Sequence, residues 1–222
     1  MNMKSTITAA AILVLAAPYV SAALLPTSTT TESTSSSNGA NKYSVSGSGV
    51  EYLGPEVIDG TGTNEADVLG TSIKTSTTTD LIIQVTMECS IWTTVATLGN
   101  DVSEATATVK VWVTVDGIVV PVSADDADDE EAGKVVFCDR THRQTVTDLD
   151  DEDARFETYQ RTRSANAFNW IAVDFGGGSV PHNVVVHAEL SGTATENAMA
   201  QAGIGHRTLV VEPVKLVKGD TV

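Results

Sequence analysis

Two stretches of the chain alternate apolar and polar residues with a period of two, and this restricts the fold more than any other feature. Over 81–92, Ile83, Val85, Met87, Cys89 and Ile91 fall on one side and Gln84, Thr86, Glu88, Ser90 and Trp92 on the other. Residues 104–116 repeat the pattern. Ala105, Ala107, Val109, Val111, Val113 and Val115 point inward; Thr106, Thr108, Lys110, Trp112, Thr114 and Asp116 point outward. Successive side chains of an extended chain face opposite sides, so both stretches read as half-buried strands. Asp116-Gly117 is a strong hairpin signal, because a type I′ turn needs positive φ at both central positions. Leu98-Gly99-Asn100-Asp101 reads as the turn that makes the two long strands antiparallel neighbours.

Further strands are expected over 134–146, within 156–175 as one or two, over 182–195, and over 206–216, where Pro213 marks an edge or a bulge. Residues 196–203 (ENAMAQAG) suit either a short helix or a small-residue strand. This spacing of strands and turns predicts an all-β fold, an antiparallel β-sandwich or jelly roll of about 7–10 strands. The folded domain is assigned to 46–222.

The N-terminus carries a processing pattern. Lys4 precedes an apolar run over 6–17, and Val20-Ser21-Ala22 follows the small-x-small rule of a secretory signal peptide. Residues 1–22 are therefore expected to be cleaved; the run is shorter than the ~20 apolar residues of a bilayer-spanning helix. Residues 23–45 read as a disordered tether, since ten of the eleven residues over 27–37 are Ser or Thr. The expected location is extracellular or at the cell surface, without membrane insertion after processing. In that compartment Cys89 and Cys138 are expected to form a disulfide.

The 222 residues hold 29 Asp and Glu against 13 Lys and Arg, a formal charge of −16. Nucleic acid is excluded as a partner, because its backbone is bound through Lys and Arg that release counterions. Two acidic runs lie in loops: Asp125, Asp126, Asp128, Asp129, Glu130 and Glu131, and then Asp148, Asp150, Asp151 and Asp153. Solvated loops are the plain reading; Ca²⁺ is the alternative cofactor, since it takes six to eight oxygens from such segments. No other cofactor is indicated.

Trp92 and Trp112 both fall on outward faces, with Lys110 alongside, and form the candidate ligand or partner face. With a turn centred near residue 100, Trp92 would lie opposite residue 108 and the two indoles about 13 Å apart. No nucleophile elbow, metal-protease helix or phosphate loop is present, and no residue is assigned a catalytic role. The function expected is that of an exported, non-catalytic structural or interaction protein that self-assembles by strand addition or holds a protein partner. A carbohydrate-binding module using the Trp platform is the alternative, and a secreted hydrolase the third reading.

Overall fold

Every regular element among the described residues is a strand, and every ladder between them is antiparallel. The computed structural model describes residues 30–34, 43–47, 52–98, 101–122, 131–146, 155–177 and 180–216, the first two segments as backbone only. In chain order the strands are β1 (Thr30–Thr34), β2 (Tyr43–Gly47), β3 (Tyr52–Leu53), β4 (Val57–Ile73) and β5 (Thr79–Leu98). They continue with β6 (Val102–Val115), β7 (Ile118–Val119), β8 (Val135–Thr145), β9 (Arg155–Phe175) and β10 (His182–Val214). Residues 1–22, expected to be a signal peptide, lie outside the described residues, as does most of the segment expected to be a tether. Within that segment β1 pairs with β2, and β2 with the end of β10.

The 33-residue β10 organises the rest. One flank takes β4 along 182–194 and then β3 and β2. Its other flank takes β6 along 184–194 and then β5 along 198–214. β8 pairs with β6, and β9 with β5. Strands this long accumulate twist, and a wide antiparallel sheet curls. The curl brings β8 against β5 and β9, to which it has no ladder. Asn169, Trp170 and Ile171 belong to the single strand β9, so 156–175 is one strand and not two.

This path corrects one expectation. β5 and β6 are not hairpin partners; both run antiparallel to β10, hence in the same direction, one after the other along its flank. The bend falls where β5 gives way to β6, opposite Asn197 of β10, which has φ 61°. Asn tolerates that left-handed conformation better than most residues. Thr108 accordingly pairs with Ser191 and Asp139, and not with Trp92. The physical reason is length: the 33-residue β10 pairs with both strands in succession.

The alternation places the inward residues correctly, while Ser90, Trp112 and Thr114, expected outward, are also buried. Ile83, Val85, Met87 and Cys89 are fully buried, as are Ala105, Ala107, Val109, Val111, Val113 and Val115. Asp116 and Gly117 have φ of 53° and 80°, both positive as the type I′ turn requires, and Val115 pairs with Ile118. Residues 196–203 are strand, with Ala198, Ala200 and Ala202 buried. Small side chains there let backbone layers approach closely. Pro213 pairs with Leu81 on one side, beyond the last residue that β2 reaches, so its missing N–H faces no ladder.

Among the register shifts that break the period, three place particular groups. A shift between Val109 and Lys110 leaves Phe137 without a partner on β6, beside Cys138. Phe137 turns into the core and stacks on Trp170 at 6.4 Å. Cys138 reaches Cys89 with Cα atoms 6.4 Å apart, at disulfide distance, joining β8 to β5. A second shift leaves Val68 unpaired in β4, and its carbonyl accepts a 2.8 Å bond from Arg207 Nε. Arg207 is buried, donates to Gly205 O at 3.0 Å and lies 4.6 Å from the Tyr52 ring. The third sets Gly205 and His206 opposite Glu88.

Candidate interaction surface

The residues expected to form one face are divided between two places. Trp112 sits on β6, paired with His187 of β10, and Trp92 on β5, paired with Gln201 of β10 and Arg161 of β9. Their β10 partners, 201 and 187, are 14 positions apart on either side of the bend at Asn197. The two indoles therefore do not form the expected hairpin platform.

Each indole also has its own cover. Trp112 is 9% exposed. His187 stacks on it at 5.2 Å with planes 17° apart, and Lys134 Nζ lies 5.0 Å from the ring centre. Arg161 lies 5.2 Å from the Trp92 ring, and a Cβ at Gly203 would come within 2.8 Å of that indole. Position 203 must be glycine for Trp92 to lie flat on β10. Both rings use their π faces on cations or imidazole supplied by neighbouring strands.

Lys110 does join Trp112, in a four-membered ionic group. Lys110 Nζ donates to Glu131 Oε2 at 2.8 Å, while Lys134 Nζ reaches Glu131 at 3.1 Å and Glu189 at 3.2 Å. Bonds from Lys110 and then Lys134 hold the Glu131 carboxyl below its ordinary range. Burial pulls Lys134 down, but the carboxylates of Glu131 and Glu189 outweigh it and raise its pKa. Glu131 is thus engaged by two ammonium groups. The remaining residues of the two acidic runs, Asp125 to Glu130 and Asp148 to Asp153, lie outside the described residues. Among the described residues no group of three or more metal-ligating side chains gathers.

His187 adds an arrangement that sequence reasoning missed. Its Nδ1 lies 2.7 Å from Asp67 Oδ1 and its Nε2 2.8 Å from the Thr114 hydroxyl. Carboxylate, imidazole and hydroxyl in that order resemble the connectivity of a nucleophilic relay. The hydroxyl belongs to a residue only 8% exposed, on the same strand as covered Trp112. The array therefore reads as a brace tying β4, β10 and β6. Its partner Asp67 lies on β4, whose Gly- and Thr-rich sequence hides its strand character.

Two further ion pairs carry charge on histidine or arginine. Glu88 receives the guanidinium of Arg163, with Nη2 at 2.7 Å, and His206 Nδ1 at 2.9 Å; these bonds lower its pKa to about 2. His182 places Nδ1 2.7 Å from Asp116 and Nε2 2.6 Å from the Gly176 carbonyl. Both partners only accept, so both ring nitrogens must donate, which makes this ring an imidazolium. Asp116 raises the His182 pKa above 6.5, and His182 lowers the Asp116 pKa below 3.8.

The sign of the pH dependence follows. The raised histidine contributes stability below pH 6.5 and loses it as pH rises through its folded pKa; the depressed aspartate contributes above pH 3.8 and loses it as pH falls. The pair is at full strength between those limits. In Asp116→Asn, which keeps a side chain tolerant of φ 53°, the His182 titration followed by NMR should move down toward 6.5. An unchanged midpoint would show that Asp116 does not set it.

Among the described residues β9 forms an edge of the sheet. Its 21 residues pair with β5 on one side, and among the described residues no strand pairs with the other. Ile171, Val173, Phe156 and Tyr159 are 49%, 58%, 45% and 57% exposed. From Arg155 to Phe175 there is no Pro or Lys, two residues that commonly blunt an edge; the charge on the strand comes from Arg155, Glu157, Arg161, Arg163 and Asp174. β8 continues the same margin, pairing among the described residues with β6 alone. Between β8 and β9, beside the cystine, a cleft of about 270 Å³ is lined by Phe137, Arg140, Thr162, Ser164 and Asn166 among others.

No family model matches the chain, and no curated protein matches it. Among the described residues no helix is long and apolar enough to cross a membrane.

Proposed function

We propose that this chain is an exported, non-catalytic β-sandwich that builds structure at or outside the cell surface by self-association, adding a strand of one copy to the sheet of another. The observation that carries this reading is the β9 edge: 21 residues, paired on one side among the described residues, apolar in part, and without Pro or Lys. An edge of unpaired N–H and C=O groups is a template for another strand, and protein sheets that stay monomeric blunt it. Export is supported by the apolar run over 6–17 followed by Val20-Ser21-Ala22, and by a cysteine pair at disulfide distance. The sandwich reading is supported by the two halves of the curled sheet meeting through Cys89–Cys138 and the Phe137–Trp170 stack.

Hydrogen exchange tests the edge. Backbone amides within 161–173 should gain protection as the protein is concentrated, because a second strand satisfies them. Ile171→Lys with Val173→Lys, both on the exposed side of β9, should remove that gain while shifting the melting temperature little. Exchange in β9 that is the same at every concentration would contradict the proposal.

A further inference from the structure

The two margins of the curled sheet carry opposite charge. β8 and β9 follow one another along one margin and hold Arg140, Arg143, Arg155, Arg161 and Arg163 against Asp139, Glu157 and Asp174; five minus three is +2. β4, on the opposite margin, holds Asp59, Glu65 and Asp67 with no cation, a total of −3. In a chain of −16, where two copies repel over most approaches, the arginine margin is a place of attraction. Some of these arginines have partners within the chain, as Arg163 has Glu88 and Arg155 has Glu157. The Arg163 and Arg155 side chains nonetheless remain 42% and 64% exposed.

Strand direction agrees with the charge. β4, β5 and β6 all run antiparallel to β10, and β8 and β9 run antiparallel to β6 and β5, hence along β10. Setting β9 of one copy beside β4 of the next therefore continues the antiparallel alternation without turning the copy over. Repeating that step generates an open chain and not a closed pair. Pairing β9 with β9 is also antiparallel about a two-fold axis, but it brings arginine-rich strands together, and like charges across a ladder repel.

We infer that copies of this chain join head to tail, the β9 edge of one against the β4 edge of the next. The inference rests on the strand-addition reading above and adds the partner edge and the polarity. Charge exchange tests it. Ala165→Glu, Ala167→Glu and Asn169→Glu, all exposed on β9, change that strand from +1 to −2. Thr61→Lys, Thr63→Lys and Glu65→Lys, all exposed on β4, change that strand from −3 to +1. Each triple variant alone should remain a single chain by light scattering. An equimolar mixture should recover a mass at least threefold higher, because each altered edge then meets its complement.

A β4 variant that still associates alone would show that β9 pairs with itself and would overturn the head-to-tail contact while leaving self-association standing. Parent protein that never associates would instead sink the underlying reading. Should a triple variant fail to fold, hydrogen exchange on the parent decides. Protection that rises with concentration in both β4 and β9 supports the contact, and a rise in β9 alone overturns it.

Discussion

Chains with alanine at both Cys89 and Cys138 should unfold about 2–4 kcal/mol more readily than the parent. The two cysteines are 49 positions apart, and closing a loop of that size restricts the unfolded chain by roughly 4 kcal/mol in the loop-entropy picture. The native contribution is local. The cystine is the covalent tie between β5 and β8, strands with no shared ladder, and Ser164 and Asn166 surround its sulfurs at 3.4–3.9 Å. Without it, β8 would keep its ladder to β6 and side-chain contacts such as Asn166 to the Phe137 carbonyl at 2.7 Å. A guanidinium titration should show the lower midpoint. A change below about 0.5 kcal/mol would mean that packing alone closes the sheet.

The second large effect is expected at Trp170. Its side chain is 1% exposed, stacked on Phe137 and edge-on to Phe168 at 4.8 Å. Its indole N–H donates to the Gly133 carbonyl at 2.8 Å. Gly133 has φ 78°, and a Cβ there would fall 2.3 Å from the Val120 carbonyl oxygen, so the 131–134 turn fits here only with glycine. Trp170→Ala removes both the ring and the anchor of that turn and should cost about 3–5 kcal/mol. Trp170→Phe keeps most of the volume, drops the donor and should cost about 1–3 kcal/mol. Equal losses in the two variants would show that the hydrogen bond, and not the ring, holds this corner.

What the sequence disclosed and what it hid have separate physical causes. Period-two alternation exposed the inward faces of β5 and β6, because each has a buried face and a polar one. It did not expose β4, whose 17 residues include three glycines and several threonines and are mostly exposed, so neither period nor β propensity marks them. The strand partners were hidden for another reason. A turn signal at residues 98–101 does not distinguish a hairpin from a corner, and the length of β10, which decides between them, was obscured by the alanine run 196–203. Bulges at Val68, Phe137 and Gly205-His206 shift the period locally, which is why Cys138 could be paired with Cys89 but not placed on a face beforehand.

The candidate surface shows the same division. Trp112 and Lys110 were singled out from their own strand, and Glu131 from its acidic run; the structure brings those three together. His187, Asp67, Lys134 and Glu189, which complete the group, come from elements whose pairing the sequence did not show. The arginines of 140–143 and 155–163 are separated in the sequence by the second acidic run. Only the ladders reveal that they share one margin of the sheet.

Self-association through the β9 edge is tested most directly by the mass of the purified protein in solution. Light scattering over a hundredfold range of concentration should give a weight-average mass that rises above one chain, with no plateau at two. A mass that stays at one chain throughout, in protein whose cysteines are shown to be bridged, would contradict the account.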